Sequence, residues 1–283
     1  MPLLTISELE QMSPLFRSRV GNVLARCAMR MLRIHRLNAL YDRHRHLCGP
    51  DFVQSALQEL GIKYELLAAT PEVLTQINTL RQGTPFISIS NHPYGSIDGV
   101  ILAECFGRLC PDYKIMVNKV LERVEPLTDS FIFVTPHTAD HYTPSRESIL
   151  GMRRAFEHLR SGGALGLFPA GAVSNLCLRD GSLRDREWQL PVIRLMAKAQ
   201  VPILPVRFFG GNSLFYYLLG LIHWRIRLLR LPAELFNKAH SPICIGIGPL
   251  ISVEEQQQYL ATHSIEEFGR WLRSRVEGLR VMV

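Results

Sequence analysis

The stretch Ser88-Ile89-Ser90-Asn91-His92-Pro93-Tyr94-Gly95-Ser96-Ile97-Asp98-Gly99 places an imidazole and a carboxylate six positions apart across a change of backbone character. The apolar, β-prone run Pro85 to Ser90 stops at Asn91-His92-Pro93, a loop with Gly95 follows, and Ile97 to Leu109 reads as a helix. His92 therefore stands where a strand becomes a loop, and Asp98 where a helix begins, so the loop can fold the acid back onto the ring. A carboxylate that accepts from one ring nitrogen fixes the tautomer and leaves the other nitrogen free to take a proton from a hydroxyl or thiol. The local sequence sets no serine or cysteine nucleophile beside the pair, which favours direct attack by a substrate hydroxyl over a covalent enzyme intermediate. Taken alone, the same residues also describe a loop histidine capped by its neighbours.

Two further segments must position this pair. Gly162-Gly163-Ala164-Leu165-Gly166-Leu167-Phe168-Pro169-Ala170-Gly171-Ala172-Val173-Ser174 is a second strand running into a glycine loop, and Val201 to Phe209 is a further apolar strand. Strands are also expected at Lys63 to Leu67, Tyr113 to Asn118, Phe131 to Thr135 and Ile243 to Ile247. Helices are expected at Phe52 to Leu60, Ser145 to Arg160, Trp188 to Ala199 and, singly or as a pair, Ser252 to Leu279. A linker is read around Thr70-Pro71 and a connection over Glu122 to Asp129. Alternating strands and helices imply an α/β fold, a mixed sheet flanked by helices, with ligands near strand ends. The His92 and Phe168 loops both leave carboxyl ends of expected strands and would face one cleft.

The 283 residues are 47% hydrophobic, with no internal repeat and few low-complexity tracts, which suits one large core and excludes disorder. The six cysteines, Cys27, Cys48, Cys105, Cys110, Cys177 and Cys244, form no Cys-x-x-Cys pair and read as thiols of a reducing compartment. A formal charge of +7 asks for an anionic partner. Basic residues interleave with leucine and methionine and not with an aromatic stacking platform, so an anionic membrane surface is expected and nucleic acid is not. From Pro14 to Leu47, Arg17, Arg19, Arg26, Arg30, Arg33 and Arg36 alternate with apolar residues at helical spacing, the pattern of one or two amphipathic helices with a cationic face. A cleaved secretory signal is not expected ahead of them, since Met1 to Met12 carry two acids and no basic region before an apolar core, and no window reaches the ~18 apolar residues of a membrane span. The strongly apolar Leu214 to Trp224 suits an interfacial or acyl-tunnel segment, or equally a buried core helix, and Arg225, Arg227 and Arg230 close it with positive charge. Residues 1–61 thus read as an amphipathic membrane-association segment and residues 62–283 as the catalytic domain.

From roughly Phe16 to Ile251 the chain resembles the glycerolipid acyltransferase (lysophosphatidic acid acyltransferase-like) family, and within it the hemolysin-like branch that includes lyso-ornithine lipid O-acyltransferases. The residues that carry the resemblance are Asn-His-Pro-x-Gly-x-x-Asp-Gly at 91–99, Val117-Asn118-Lys119, Phe168-Pro169-Ala170-Gly171, Gly210-Gly211-Asn212-Ser213-Leu214-Phe215-Tyr216 and Leu231-Pro232-Ala233-Glu234-Leu235-Phe236-Asn237-Lys238, in that order. The resemblance implies catalysis by His92 and Asp98 without metal or cofactor, with substrate binding at Asn91, Gly95, Asn118, Lys119, Phe168, Pro169, Gly171 and Ser174. The co-substrate would be a thioester of acyl carrier protein or coenzyme A, the acceptor a lysolipid hydroxyl, and the place the cytoplasmic face of the cell membrane. Oxyanion donors are expected from backbone N–H groups of the Gly171 loop and from Asn91.

Three departures qualify it. Most of the family places four residues between His and Asp, whereas five stand here, Pro93 to Ile97, with Gly95 available to absorb the extra one. The family's Phe-Pro-Glu-Gly-Thr-Arg-Ser block appears as Phe168-Pro169-Ala170-Gly171-Ala172-Val173-Ser174. Val173 replaces an arginine associated with the acceptor phosphate, which favours a phosphate-free aminoacyl lysolipid such as lyso-ornithine lipid over lysophosphatidic acid. Ala172 stands where the branch often carries a glutamate, so a carboxylate that would support the loop or headgroup is missing. The Gly-x-x-Phe-Ile-x-Arg block is not cleanly present in Ser130 to Pro136, leaving Lys119 and Arg123 as candidate headgroup or carrier contacts. His137 and His141 lie between Pro136 and Pro144 in an expected loop, not on a metal-binding helix. The readings from other classes are a lipid-binding protein without turnover, motivated by Ala172, and direct membrane lysis, which no pore-forming segment or secretion signal supports.

Overall fold

The computed structural model describes residues 29–80, 84–135, 145–222, 224–239 and 242–281. In chain order the elements are α1 Ile34–His44, α2 Gly49–Leu60, β1 Tyr64–Ala68, α3 Pro71–Leu80, β2 Ile87–Ser90, α4 Ser96–Leu109, β3 Lys114–Asn118, β4 Phe131–Val134, α5 Arg146–Arg160 and β5 Leu165–Leu167. A short ribbon follows, β6 Asn175–Leu176 and β7 Leu183–Arg184. Then come α6 Leu190–Ala199, β8 Ile203–Phe208, α7 Leu214–Ile222, α8 Trp224–Leu229, α9 Leu231–Phe236, β9 Ile243–Ile247, α10 Val253–Leu260 and α11 Ile265–Glu277.

Seven strands form one mixed sheet in the order β1-β9-β8-β2-β5-β3-β4. The run from β8 to β4 is parallel, while β9 is antiparallel to β8 and β1 is parallel to β9. The strand that leads into His92, β2, is the central one. Its alternation Ile87-Ser88-Ile89-Ser90 sends both isoleucines into one core layer, with the α5, α6 and α11 side chains Leu159, Met196 and Phe268. Ser88 faces the other layer and meets the Tyr113 hydroxyl at 2.7 Å, which satisfies a hydroxyl that would otherwise be costly to bury. That layer is built by α2, α3 and α4 through Leu57, Val73, Ile77, Ile101 and Phe106.

The elements follow local signals with a few exceptions. Ser145 caps α5 by accepting from the Ser148 N–H, and α2 ends at Gly61 with φ 65°. The linker expected around Thr70-Pro71 instead opens α3, whose Val73, Ile77 and Leu80 recur at helical spacing and are buried. The helix expected from Trp188 starts at Leu190 because Pro191 sits in its first turn. The connection expected over Glu122 to Asp129 is taken up by two 3₁₀ turns that overrun it at both ends, Lys119–Arg123 and Glu125–Ser130. The apolar segment expected to run from Leu214 to Trp224 is divided between α7 and α8. Of the expected N-terminal amphipathic segment, α1 is described, preceded by Arg33 at φ 58°, and Arg17, Arg19 and Arg26 lie outside the described residues, as do Cys27, His137 and His141. Among the described residues, no helix is long and apolar enough to cross a membrane.

Candidate active site

The site grows from the adjacency of β8, β2 and β5, whose carboxyl ends lie side by side. At the end of β2 the Asn91 amide accepts from the Phe208 N–H at 2.7 Å and donates to its carbonyl at 2.9 Å, pinning β2 to the end of β8. The Asn91 side chain is thus a clasp between strands. On the other flank the Phe168 ring, just past β5, lies 4.1 Å from the His92 ring, centroid to centroid. His92 is held between two strand ends before its own loop contributes anything.

The loop then turns back. Gly95 takes φ 82°, and a Cβ there would come within 2.9 Å of Leu231 Cδ2 and 3.2 Å of Val173 Cγ2, so both backbone and space call for glycine. This turn accommodates the fifth residue between His92 and Asp98. Asp98, in the first turn of α4, accepts on Oδ2 from the Tyr94 N–H at 2.9 Å and the Gly95 N–H at 3.0 Å. The same oxygen lies 2.9 Å from His92 Nδ1, with Asp98 fully buried and His92 18% exposed. The ring N–H does not point straight at the carboxylate, and Asp98 Oδ1 has no hydrogen-bond partner. Burial pushes the Asp98 carboxyl above its ordinary value, opposed by His92 and by the two loop N–H groups.

A second buried carboxylate joins the site that the motif blocks did not point to. Asp185, just past β7, accepts on Oδ1 from the His92 backbone N–H at 3.3 Å and from the Ser174 hydroxyl at 2.5 Å. The Ser174 N–H donates to the His92 carbonyl at 2.9 Å, so Asp185 and Ser174 bracket the His92 peptide from both sides. Asp185 is also raised, first by burial, with the Ser174 bond and the His92 charge acting against it. Asp185 thus brings a carboxylate to a loop that has none at Ala170 or Ala172. Beneath the same loop lies Arg227 of α8, 3% exposed, donating from Nη1 to the Ser174 carbonyl at 3.1 Å and from Nη2 to the Val173 carbonyl at 2.8 Å. Its Nε has no partner, and burial lowers its affinity for the proton.

The remaining expected residues divide by place. Pro169 gives its carbonyl to the Gln189 N–H, and the Gly171 N–H closes onto the Phe168 carbonyl at 2.9 Å. Gly171 has φ 63°, and a Cβ there would run into Gln189. Asn118 caps the next turn by accepting from the Val120 N–H at 3.1 Å, and Lys119 pairs with Glu147 at 2.5 Å on the surface. The two later motif blocks meet each other. Glu234 accepts from the Ser213 N–H and hydroxyl, Asn212 donates to the Tyr94 carbonyl at 3.1 Å, and Lys238 donates to the Gly211 carbonyl at 2.7 Å. They brace the His92 loop from outside.

The sequence profile of the acyltransferase family matches residues 9–280. The chain belongs to the acyltransferase family. It is 27% identical over 221 residues to the lyso-glycine lipid O-acyltransferase of Bacteroides thetaiotaomicron, covering 75% of this chain and 74% of that protein. To the lyso-glycine lipid O-acyltransferase of Phocaeicola vulgatus it is 25% identical over 219 residues, covering 75% of this chain and 72% of that one. Among solved structures, the 1-acyl-sn-glycerophosphate (LPA) acyltransferase PlsC from Thermotoga maritima aligns with a TM-score of 0.44 and 14% identity over 81% of this chain and 80% of that one. The glycerolipid acyltransferase resemblance drawn from the motif blocks is borne out at the level of the family, and so is the mixed α/β sheet flanked by helices. This acyltransferase carries an apolar side chain where the wider family carries its third-block arginine: Val173 is buried with Tyr216 and Tyr217.

Proposed function

We propose that this acyltransferase moves a fatty acyl chain from an acyl carrier protein or coenzyme A thioester to the hydroxyl of a phosphate-free amino-acid lysolipid, the class that includes lyso-glycine and lyso-ornithine lipids. The observation that carries the reading is His92 Nδ1 at 2.9 Å from the buried Asp98 carboxylate, at the end of the central strand. Asp98 accepts from Nδ1–H, and Nε2 takes the proton of the acceptor hydroxyl as its oxygen attacks the thioester carbonyl carbon. The tetrahedral intermediate collapses with a C–O bond formed and the C–S bond broken, and the thiolate recovers the proton from His92. Base catalysis of this kind contributes ~10²–10⁴-fold. The thioester supplies the driving force, so the scheme asks for no metal or prosthetic group.

The relatives named lyso-glycine lipid O-acyltransferase support an amino-acid lysolipid as acceptor. So does the buried, apolar surrounding of Val173. The protein would work at the cytoplasmic face of the cell membrane, held peripherally. A phosphate-bearing acceptor is the second reading, favoured by the unpartnered Nε of Arg227 beside the same loop. Purified protein offered labelled acyl carrier protein and acyl coenzyme A against lyso-glycine lipid, lyso-ornithine lipid and lysophosphatidic acid separates the two. Product from the amino-acid lysolipids supports the first reading, preference for lysophosphatidic acid selects the second, and no product from any acceptor rejects both.

A further inference from the structure

Helix α7 wears its apolar face outward. Its nine residues, Leu-Phe-Tyr-Tyr-Leu-Leu-Gly-Leu-Ile, contain no charge, and the two polar ones, Tyr216 and Tyr217, point inward, where they are 0% and 3% exposed. Leu214, Leu218, Leu221 and Ile222 recur at the spacing of one helical stripe, joined by Phe215, and all five are exposed, Ile222 to 73%. A surface helix in water has the opposite arrangement. Leu228 and Leu229 of α8 continue the apolar surface. At its edge the Arg230 guanidinium sits 5.0 Å from the Phe215 ring centroid and 3.4 Å from the Glu234 carboxylate.

The inner side of the same helix is built onto the candidate site. The Tyr217 hydroxyl donates to the Pro93 carbonyl, next to His92, at 2.8 Å, and receives the Asn212 N–H at 3.1 Å. Tyr216 packs with Val173. Gly220 lets α8 pass close, where a Cβ would come within 2.7 Å of Arg227 Cδ, and Arg227 then reaches the Val173 and Ser174 carbonyls. At 1.5 Å per residue α7 is about 14 Å long, roughly half the hydrocarbon thickness of a bilayer. It can lie in an interface and cannot cross one.

We infer that the outer face of α7 is the surface by which this protein docks on an anionic lipid bilayer, its leucines among the acyl chains, with the chain's formal charge of +7 drawing it to such a surface. The inference rests on the lipid acceptor of the preceding reading and names the element that meets the lipid. Because α7 also bonds to the His92 loop, docking sets the catalytic loops directly above the leaflet that would hold acceptor and product. A second copy of this chain, or residues 1–28, would be the competing occupants of the stripe.

The test uses the full chain and needs no turnover, so it can fail independently of the proposed reaction. Partition onto sonicated vesicles of phosphatidylcholine and phosphatidylglycerol is measured by co-sedimentation for the wild type, for Leu218→Glu with Leu221→Glu together, and for Leu74→Glu, an exposed leucine of α3 outside the stripe. Vesicle partition should fall by about tenfold or more in the double variant and not in Leu74→Glu, with unchanged unfolding midpoints. Equal partition of the double variant and the wild type overturns the inference. So does a dimer in sedimentation velocity that the double substitution dissociates, which assigns the stripe to a second copy. A lowered unfolding midpoint with partition unchanged overturns it too, since it assigns the stripe to a segment of the chain itself.

Discussion

The centre of the sheet and its β3–β4 edge both present polar side chains just past strand ends, and they are built in opposite ways. At the centre, His92 and Asp98 are 18% and 0% exposed, and the surrounding loop is tied to residues far along the chain: Asn91 to Phe208, His92 to Asp185, Asn212 to Tyr94, Tyr217 to Pro93. At the edge, Asn118 caps its own next turn, and Lys119 and Glu147 pair in solvent, each about half exposed. A buried, cross-braced pair keeps its geometry without substrate and feels a low dielectric, whereas an exposed pair is screened and adjustable. The contrast favours the centre as the place of the proposed chemistry and leaves the edge at most an adaptable contact with a headgroup or carrier.

Substitutions can break or sharpen that contrast. Asp98→Asn should lower acyl transfer by about 10³-fold or more, because an amide cannot hold the imidazolium or select its tautomer. It should do so without lowering the unfolding midpoint near neutral pH. The folded state raises the Asp98 pKa, so the stabilising contribution of this group is complete below the ordinary carboxylate range and is lost as pH rises through the raised value. The asparagine variant has no such loss. A midpoint lowered at neutral pH in proportion to activity would make Asp98 a structural anchor.

Next in size is Asp185→Ala, which leaves the His92 N–H and the Ser174 hydroxyl without their acceptor. Transfer should drop by about 10- to 100-fold through misplacement of the base. Asp185→Asn, which keeps one acceptor oxygen, should recover much of it, and the KM for acceptor should hardly move. An effect confined to KM would instead place Asp185 against the substrate. Gly95→Ala introduces a left-handed backbone strain and a Cβ against Leu231 and Val173, expected to cost about 1–3 kcal/mol in chemical denaturation. The smallest effect belongs to the edge. Lys119→Ala should change transfer by no more than about twofold, and a loss as large as that of Asp185→Ala would dissolve the contrast between the two regions.

The sequence made the frame legible where local rules operate. The strand ending at Ser90, the helices ending at Leu60 and starting at Ser145 and the His92-to-Asp98 span are written in short windows, and the structure realises them to within a residue. The order of the motif blocks was enough to point to the acyltransferase family. What stayed hidden depends on contacts between distant segments. Asp185 sits in Leu183-Arg184-Asp185-Arg186, which looks like solvated charge until the ribbon folds it against the His92 peptide. Asn91 adjoins the base in sequence, yet its amide is committed to Phe208, so its clasp role is invisible without β8 alongside β2. Arg227 reads as the basic end of an apolar helix, and only the close passage at Gly220 carries it beneath Ser174. The outward apolar stripe of α7 was apparent as hydrophobicity but not as a direction, because the sequence does not say which side of a uniformly apolar helix meets the core.

The most direct test of the central claim is a single-turnover experiment with acyl-labelled thioester, with and without the amino-acid lysolipid acceptor, for wild type and His92→Ala. Direct transfer by the His92–Asp98 pair predicts that label reaches lipid and thiol is released only when acceptor is present, that no label rests on protein, and that His92→Ala does neither while unfolding at the wild-type midpoint. Thiol release without acceptor and label bound to protein, or undiminished transfer by His92→Ala, would contradict it.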